Sequence, residues 1–305
     1  MELQRSLTGF ERSPSVRNTA PKSLTTMQYA IKTSPQLTTW KDMLAVWQEA
    51  DKMDVFHSAW NFDHFYPINV PDTSGPCMEA WTTLTALAQA TTRIRLGCMV
   101  TGIVYRHPAL LANMISSVDI ISDGRLELGI GAGWNEQECD AYGIELGTLT
   151  ERFDRFDEAC EVLHSMLTNE VTNFSGKYFN LTEARNNPPP VQKPHPPICI
   201  GGNGEKRTLP NVARWAQHWN YAAFDFEGWV AKKAVLDGIC RDIGRDPGEI
   251  MTSVHQTATP EGLDELEENC FKFKEGGLDL ILFYLPPPHT PSILQKLAGI
   301  AQRVG

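Results

Sequence analysis

Four short runs in this sequence gather the residue types that do chemistry. In NFDHF, Asp63 and His64 are adjacent polar residues between apolar neighbours. A histidine of near-neutral pKa donates or accepts a proton, and a nearby carboxylate can hold its ring or its charge state, so the pair reads as proton-transfer machinery. The plain alternative is that Asp63 caps its loop and His64 only packs. In GIGAGWNEQE, alternate glycines precede Trp134, Asn135 and Glu136. Glycine there permits close approach of something flat or anionic, although tight turns also demand it, and Trp134 could stack on a ring or fill an opening. ICIGGNGEKRT runs Gly201, Gly202, Asn203 and Gly204 into Glu205, Lys206 and Arg207. A strand passing through such a turn into a helix suits a phosphate, because backbone N–H groups, the helix N-terminus and a basic side chain converge on the oxyanion; the alternative is an ordinary turn with exposed charges. TGIVYRHP adds Thr101, Gly102, Arg106 and His107, of which the last two also serve as plain helix-entrance residues.

These runs need elements to position them, and the hydrophobic pattern supplies eight strand–helix units. Strands are predicted at 28–32, 55–62, 93–100, 125–132, 197–202, 218–224, 249–258 and 279–285, each followed by a run of helical period. The first helix spans 38–53 with Thr38 or Thr39 as N-cap, and the third opens with Pro108 in its first turn. That order predicts an α/β fold, a single-domain (β/α)8 TIM barrel over 28–305, whose parallel strands require helical crossovers. A doubly wound sheet needs a GxGxxG turn after the first strand, which SPQLTT does not supply. All four chemical runs then lie at the C-terminal mouth, where such barrels do their chemistry. Phe153, Phe156, Cys160, Leu163 and Leu167 recur at helical spacing and read as core. Residues 169–197 are polar and Pro-rich and read as a surface excursion between helix 4 and strand 5, without chemistry.

Composition narrows the function. A net charge of -10, with no stripe of Lys and Arg, disfavours a nucleic-acid partner. No apolar run approaches the roughly 20 residues of a membrane span, so a soluble, cytoplasmic enzyme is expected. Seven scattered cysteines in mostly apolar context read as reduced core residues; without CxxC or HExxH, no metal site is expected. Residues 1–27 carry Arg, Ser and Thr with no apolar periodicity and read as a disordered extension, a composition that a transit peptide shares. The mouth thus offers a proton-transfer pair, glycines and a phosphate turn, but no nucleophile elbow, metal site or lysine suited to a Schiff base. That inventory fits redox chemistry on a bound cofactor.

The segments from Glu79 to Glu138, then ERFDRFDEA and PPICIGGNGEKRTL, resemble the luciferase-like monooxygenase superfamily, and within it the F420-dependent oxidoreductase branch. The resemblance covers roughly residues 28 to 260 and is dense from 78 to 220. It implies a deazaflavin ring in the barrel mouth, with its phosphate-bearing tail along the rim. Asp63 and His64 match the family's Asp-His pair, with His64 the proton donor or charge stabiliser and Asp63 its orienter. Met99 and Val100 match a bulge where family members often carry a non-prolyl cis peptide behind the ring. Thr101, Gly133, Trp134 and Asn135 fall on ring- or chain-contacting positions, and Gly201, Gly202, Asn203 and Gly204 on the phosphate turn. Trp134 stands where a related sugar-phosphate dehydrogenase has a catalytic glutamate, so that substrate is not implied. Asn203 replaces a commoner glycine, and asparagine tolerates a left-handed conformation nearly as well.

The expected function is hydride transfer between non-covalently bound F420 and a small organic substrate, with His64 handling the proton. One rival keeps the barrel but uses FMN and oxygen as a monooxygenase fed by a partner flavin reductase. A second is a redox-inactive barrel that binds a flavin or a metabolite. A homodimer is expected by family analogy alone.

Overall fold

The computed structural model describes residues 27–305; the expected extension therefore lies outside the described residues, except Met27, which is buried in the core. The chain begins with β1 (Gln28–Thr33), α1 (Trp40–Asp51), β2 (Phe56–Asn61), α2 (Ala80–Ala90), β3 (Arg95–Cys98), β4 (Thr101–Gly102) and α3 (Pro108–Ile121). It continues with β5 (Leu126–Gly131), α4 (Glu136–Tyr142), α5 (Leu149–Thr168), β6 (Thr172–Ser175), β7 (Asn180–Ala184), β8 (Ile198–Gly201) and α6 (Thr208–Trp215). The last elements are β9 (His218–Tyr221), α7 (Phe226–Asp242), β10 (Met251–Thr257), α8 (Leu263–Glu275), β11 (Leu280–Leu285) and α9 (Leu294–Val304).

The eight parallel positions of a closed barrel run β3, β2, β1, β11, β10, β9, β8, β5, and a β3–β5 pairing completes the ring. β4 resumes the line of β3 beyond a break at residues 99–100 and also pairs with β5. Side chains alternate across each strand. One set, Ala30, Trp60, Met99, Cys199, Leu280 and Leu282, forms an apolar plug inside the barrel, while the outward set packs beneath the helices as the main core. Thr39 is the N-cap of α1, accepting from the Asp42 N–H at 3.2 Å, and Pro108 opens α3. Among the described residues, no helix is long and apolar enough to cross a membrane.

Two local expectations are corrected and a third is filled in. α6 starts at Thr208 rather than Glu205, because residues 205–207 form a turn in which Glu205 and Arg207 are engaged elsewhere. α4 was not expected. The 169–197 excursion contains the antiparallel hairpin β6–β7, and its return path is tied to the barrel. Buried Asn186 donates to Ser116 Oγ at 2.7 Å, and the Gln192 amide donates to Asp119 Oδ1 and to the Leu126 carbonyl, each at 2.7 Å. A segment that covers barrel backbone must satisfy buried polar groups in this way.

The tightest approach in the barrel is at Gly129, where an added Cβ would lie 1.9 Å from the Cys98 carbonyl oxygen. Gly129→Ala is expected to cost on the order of 3 kcal/mol, since backbone rather than a flexible side chain must move. Gly238→Ala, inside α7 with nothing within 4 Å of the new Cβ, should instead stabilise by about 0.5 to 1 kcal/mol. Thermal melts of the two variants check this; equal effects would contradict the packing account.

Candidate active site

A cavity of about 420 Å³ opens at the C-terminal mouth, directly above the plug. That is within the range of small-molecule sites. Its walls are largely apolar, including Phe62, Ile68, Val100, Phe153 and Phe224. Of the residues singled out from sequence, Asp63, His64, Met99, Val100, Gly133, Trp134, Gly201 and Gly202 line it. Thr101, Asn135, Asn203 and Gly204 do not, and each has a different use.

Thr101 is fully buried and accepts a 2.8 Å hydrogen bond from Trp81 Nε1, which pins β4 to α2. Asn135 is the N-cap of α4, accepting from the Glu138 N–H at 3.2 Å. Asn203 is not left-handed; its side-chain oxygen accepts from the Ala222 N–H at 2.8 Å and ties the β8 loop to the β9 loop. Gly204 lies exposed on the turn. The glycines of β5 are also reassigned. A Cβ at Gly131 would come within 2.9 Å of Val100, so that position makes room for the bulge as well as for the cavity. The Met99–Val100 peptide is cis and non-prolyl.

The Asp63–His64 pair is reorganised. Asp63 is fully buried and salt-bridged to Arg106, whose second terminal nitrogen lies 3.2 Å from Asp63 Oδ1 and 2.6 Å from Glu79 Oε1. Burial works against the Arg106 charge, but these two carboxylates outweigh it. Burial likewise pushes the Asp63 carboxyl up, against the pull of the guanidinium. Asp63 therefore does not orient His64. Glu138 does, with His64 Nδ1 3.1 and 3.3 Å from its two carboxylate oxygens. Glu138 also accepts from Tyr105 Oη at 2.5 Å and from the Phe65 N–H at 2.9 Å. An ionised carboxylate only accepts, so Nδ1 carries the proton toward Glu138 and Nε2 remains for the cavity. Trp134, 56% exposed, meets the His64 ring edge-on at 5.5 Å between centroids.

The phosphate-turn charges are partly spent. Arg207 bonds Asp154 and Asp157 of α5 at 2.8 and 2.6 Å, and Glu205 pairs with Lys232 at 2.7 Å. Exposed Lys206 stays available on the turn. Gly202, at φ +126°, bonds its N–H to the Asn220 carbonyl. Sequence reasoning missed Glu138, Tyr105, Lys32 and His255. Asn135 followed three residues later by Glu138 is a helix-start pattern that could have revealed α4. Lys32 and His255 carried no such signal; the sequence offered no lysine suited to a Schiff base at the mouth, and Lys32 lines the cavity. Among the described residues, no group of three His, Cys, Asp or Glu could hold a metal ion.

Burial pushes the Glu138 carboxyl up, but the hydrogen bonds from His64, Tyr105 and Phe65 prevail and hold it below the ordinary glutamate value. A depressed folded-state value adds stability above the unfolded value, about 4.3, that is lost as pH falls through the folded one. Glu138→Gln is therefore expected to melt below the wild type near neutrality, with the gap closing below about pH 4. A gap constant with pH would show that the charge contributes nothing.

The luciferase-like monooxygenase family profile matches residues 21–266. An F420-dependent hydroxymycolic acid dehydrogenase of Mycobacterium tuberculosis is 32% identical over 208 residues, 68% of this chain and 56% of that protein. The pyrimidine monooxygenase RutA of a Caulobacter species is 32% identical over 147 residues, 48% of this chain and 39% of that protein. This chain thus spans about half the length of these relatives, or less. Among solved structures, an F420-dependent secondary alcohol dehydrogenase in complex with an F420-acetone adduct superposes with a TM-score of 0.78 at 18% identity, over 92% of this chain and all of that one. The fold is thereby shared, and the profile match covers most of the sequence: the chain belongs to the luciferase-like monooxygenase family.

Proposed function

We propose that this protein transfers a hydride between non-covalently bound F420 and a small organic substrate, and that His64 handles the accompanying proton. The observation that carries the reading is His64 fixed at Nδ1 by buried Glu138 and lining the cavity, with Nε2 left for a ligand. The similarity to the mycobacterial F420-dependent dehydrogenase supports deazaflavin as the cofactor. Similarity to RutA supports the second reading, an FMN-dependent monooxygenase served by a reductase.

The residues present fit a planar ring. Met99, Val100, Gly133 and Trp134 would bound it, while Gly201 and Gly202, with Asn203, Gly204 and Lys206 on the rim, would follow its phosphate-bearing chain. Thr101 and Asn135 act indirectly, by fixing β4 and α4. When bound, F420 supplies a two-electron hydride carrier that no side chain provides. For an alcohol substrate, loss of hydride from carbon and of a proton from oxygen leaves a carbonyl. Neutral His64 accepts that proton at Nε2, and the Glu138 carboxylate stabilises the imidazolium that results. In the reverse direction His64 returns the proton to the carbonyl oxygen. Asp63, locked to Arg106, holds the backbone from which His64 projects.

His64→Ala should slow turnover by about 10²-fold or more while leaving cofactor affinity within a few-fold of wild type; unchanged turnover would remove His64 from the mechanism. Fluorescence or calorimetric titration of cofactor-free protein with F420 and FMN in parallel tests the cofactor. Tight F420 binding with weak FMN binding is expected. The opposite order would make the protein an oxygen-using monooxygenase, and binding of neither would leave a redox-inactive barrel.

A further inference from the structure

Lys32 on β1 and His255 on β10 flank β11 and meet on the floor of the cavity, with Nζ 3.3 Å from Nε2. Among the described residues, His255 is the sole hydrogen-bond partner of the Lys32 side chain, and no carboxylate pairs with it. Burial drives His255 well below its usual range, and the Lys32 charge lowers it further, so the ring is neutral and accepts from the ammonium. Burial also brings Lys32 down to about 8, which leaves it mostly protonated at neutral pH. An ammonium has three N–H donors and His255 takes one, so two are left for the cavity. A buried cation without a counter-charge costs stability, and an anionic ligand group removes that cost.

We propose that Lys32, steadied by His255, is an anion-receiving subsite on the cavity floor. Its occupant is a planar anion: either a carboxylate or enolate oxygen of the substrate, or the negative charge of a reduced flavin-type ring. Only the second source rests on the cofactor reading above.

The test compares the full-length wild type with Lys32→Met, which keeps the stem and removes the charge, and with Lys32→Arg, which restores a charge. Each is titrated calorimetrically with oxidised F420, with anaerobically reduced F420, with FMN, and with benzoate as a planar carboxylate at constant ionic strength. If the ring is the source, Lys32→Met binds reduced F420 about tenfold or more weakly, but oxidised F420 within about threefold, of wild type. If the substrate is the source, Lys32→Met loses benzoate binding by about tenfold or more and both cofactor forms bind as before. Lys32→Arg recovers part of either loss. Lys32→Met matching wild type for every probe overturns the proposal, as does an equal loss for every probe, which would mark Lys32 as merely structural. Wild type that binds neither F420 nor FMN ends the cofactor reading, and the benzoate arm still decides the subsite.

Discussion

The cavity depends on one backbone contact between β3 and β5. The Cys98 carbonyl occupies the space where residue 129 would carry a side chain, so the two strands can close the ring at this point only because that residue is glycine. Past the contact, Met99 turns into the plug and Val100 rises beside Gly131 and Gly201 as part of the cavity wall. The Thr101–Trp81 hydrogen bond then returns the chain to the barrel line. The plug fixes the depth of the cavity and the bulge fixes the position of one wall, so a single close approach determines much of the shape available to a ligand. Interiors packed at this density transmit small displacements rather than absorbing them.

Charge around the mouth is divided into separate units. Asp63, Arg106 and Glu79 form one closed set beneath the loop that bears His64, with one guanidinium shared by two carboxylates. Glu138, Tyr105 and His64 form another, open to the cavity through the imidazole. Lys32 and His255 form a third, with charge in excess. A buried ion pair contributes little net stability but fixes geometry when its hydrogen bonds are complete. The Asp63 set fits that description and serves as a foundation, whereas the other two present His64, Lys32 and His255 to the cavity.

The barrel was legible because eight strand–helix units repeat the same hydrophobic alternation, and the helix starts read at residue 38 and at Pro108 fall within two residues of α1 and α3. The start of α6 is displaced because Arg207 is drawn to Asp154 and Asp157 instead of opening the helix. The site was legible only in part. His64 and Trp134 could be placed from local motifs, and the Met99–Val100 bulge from the family resemblance. The partner of His64 could not, because Asp63 is adjacent in sequence while Glu138 lies seventy-four residues away, and contact over that separation is set by how α4 packs. Lys32 and His255 are 223 residues apart and meet only because the barrel closes β1 against β11 and β11 against β10.

α4 is a seven-residue helix outside the barrel ring, begun by Asn135 and ended at left-handed Gly143. The same connection between β5 and α5 presents Trp134 at the opening and delivers Glu138 to His64. Entrance shape and the support of His64 are therefore inherited as one cassette. An insertion, deletion or exchange of this loop during divergence alters both together while the strands stay untouched, so relatives sharing the barrel can differ abruptly at the mouth.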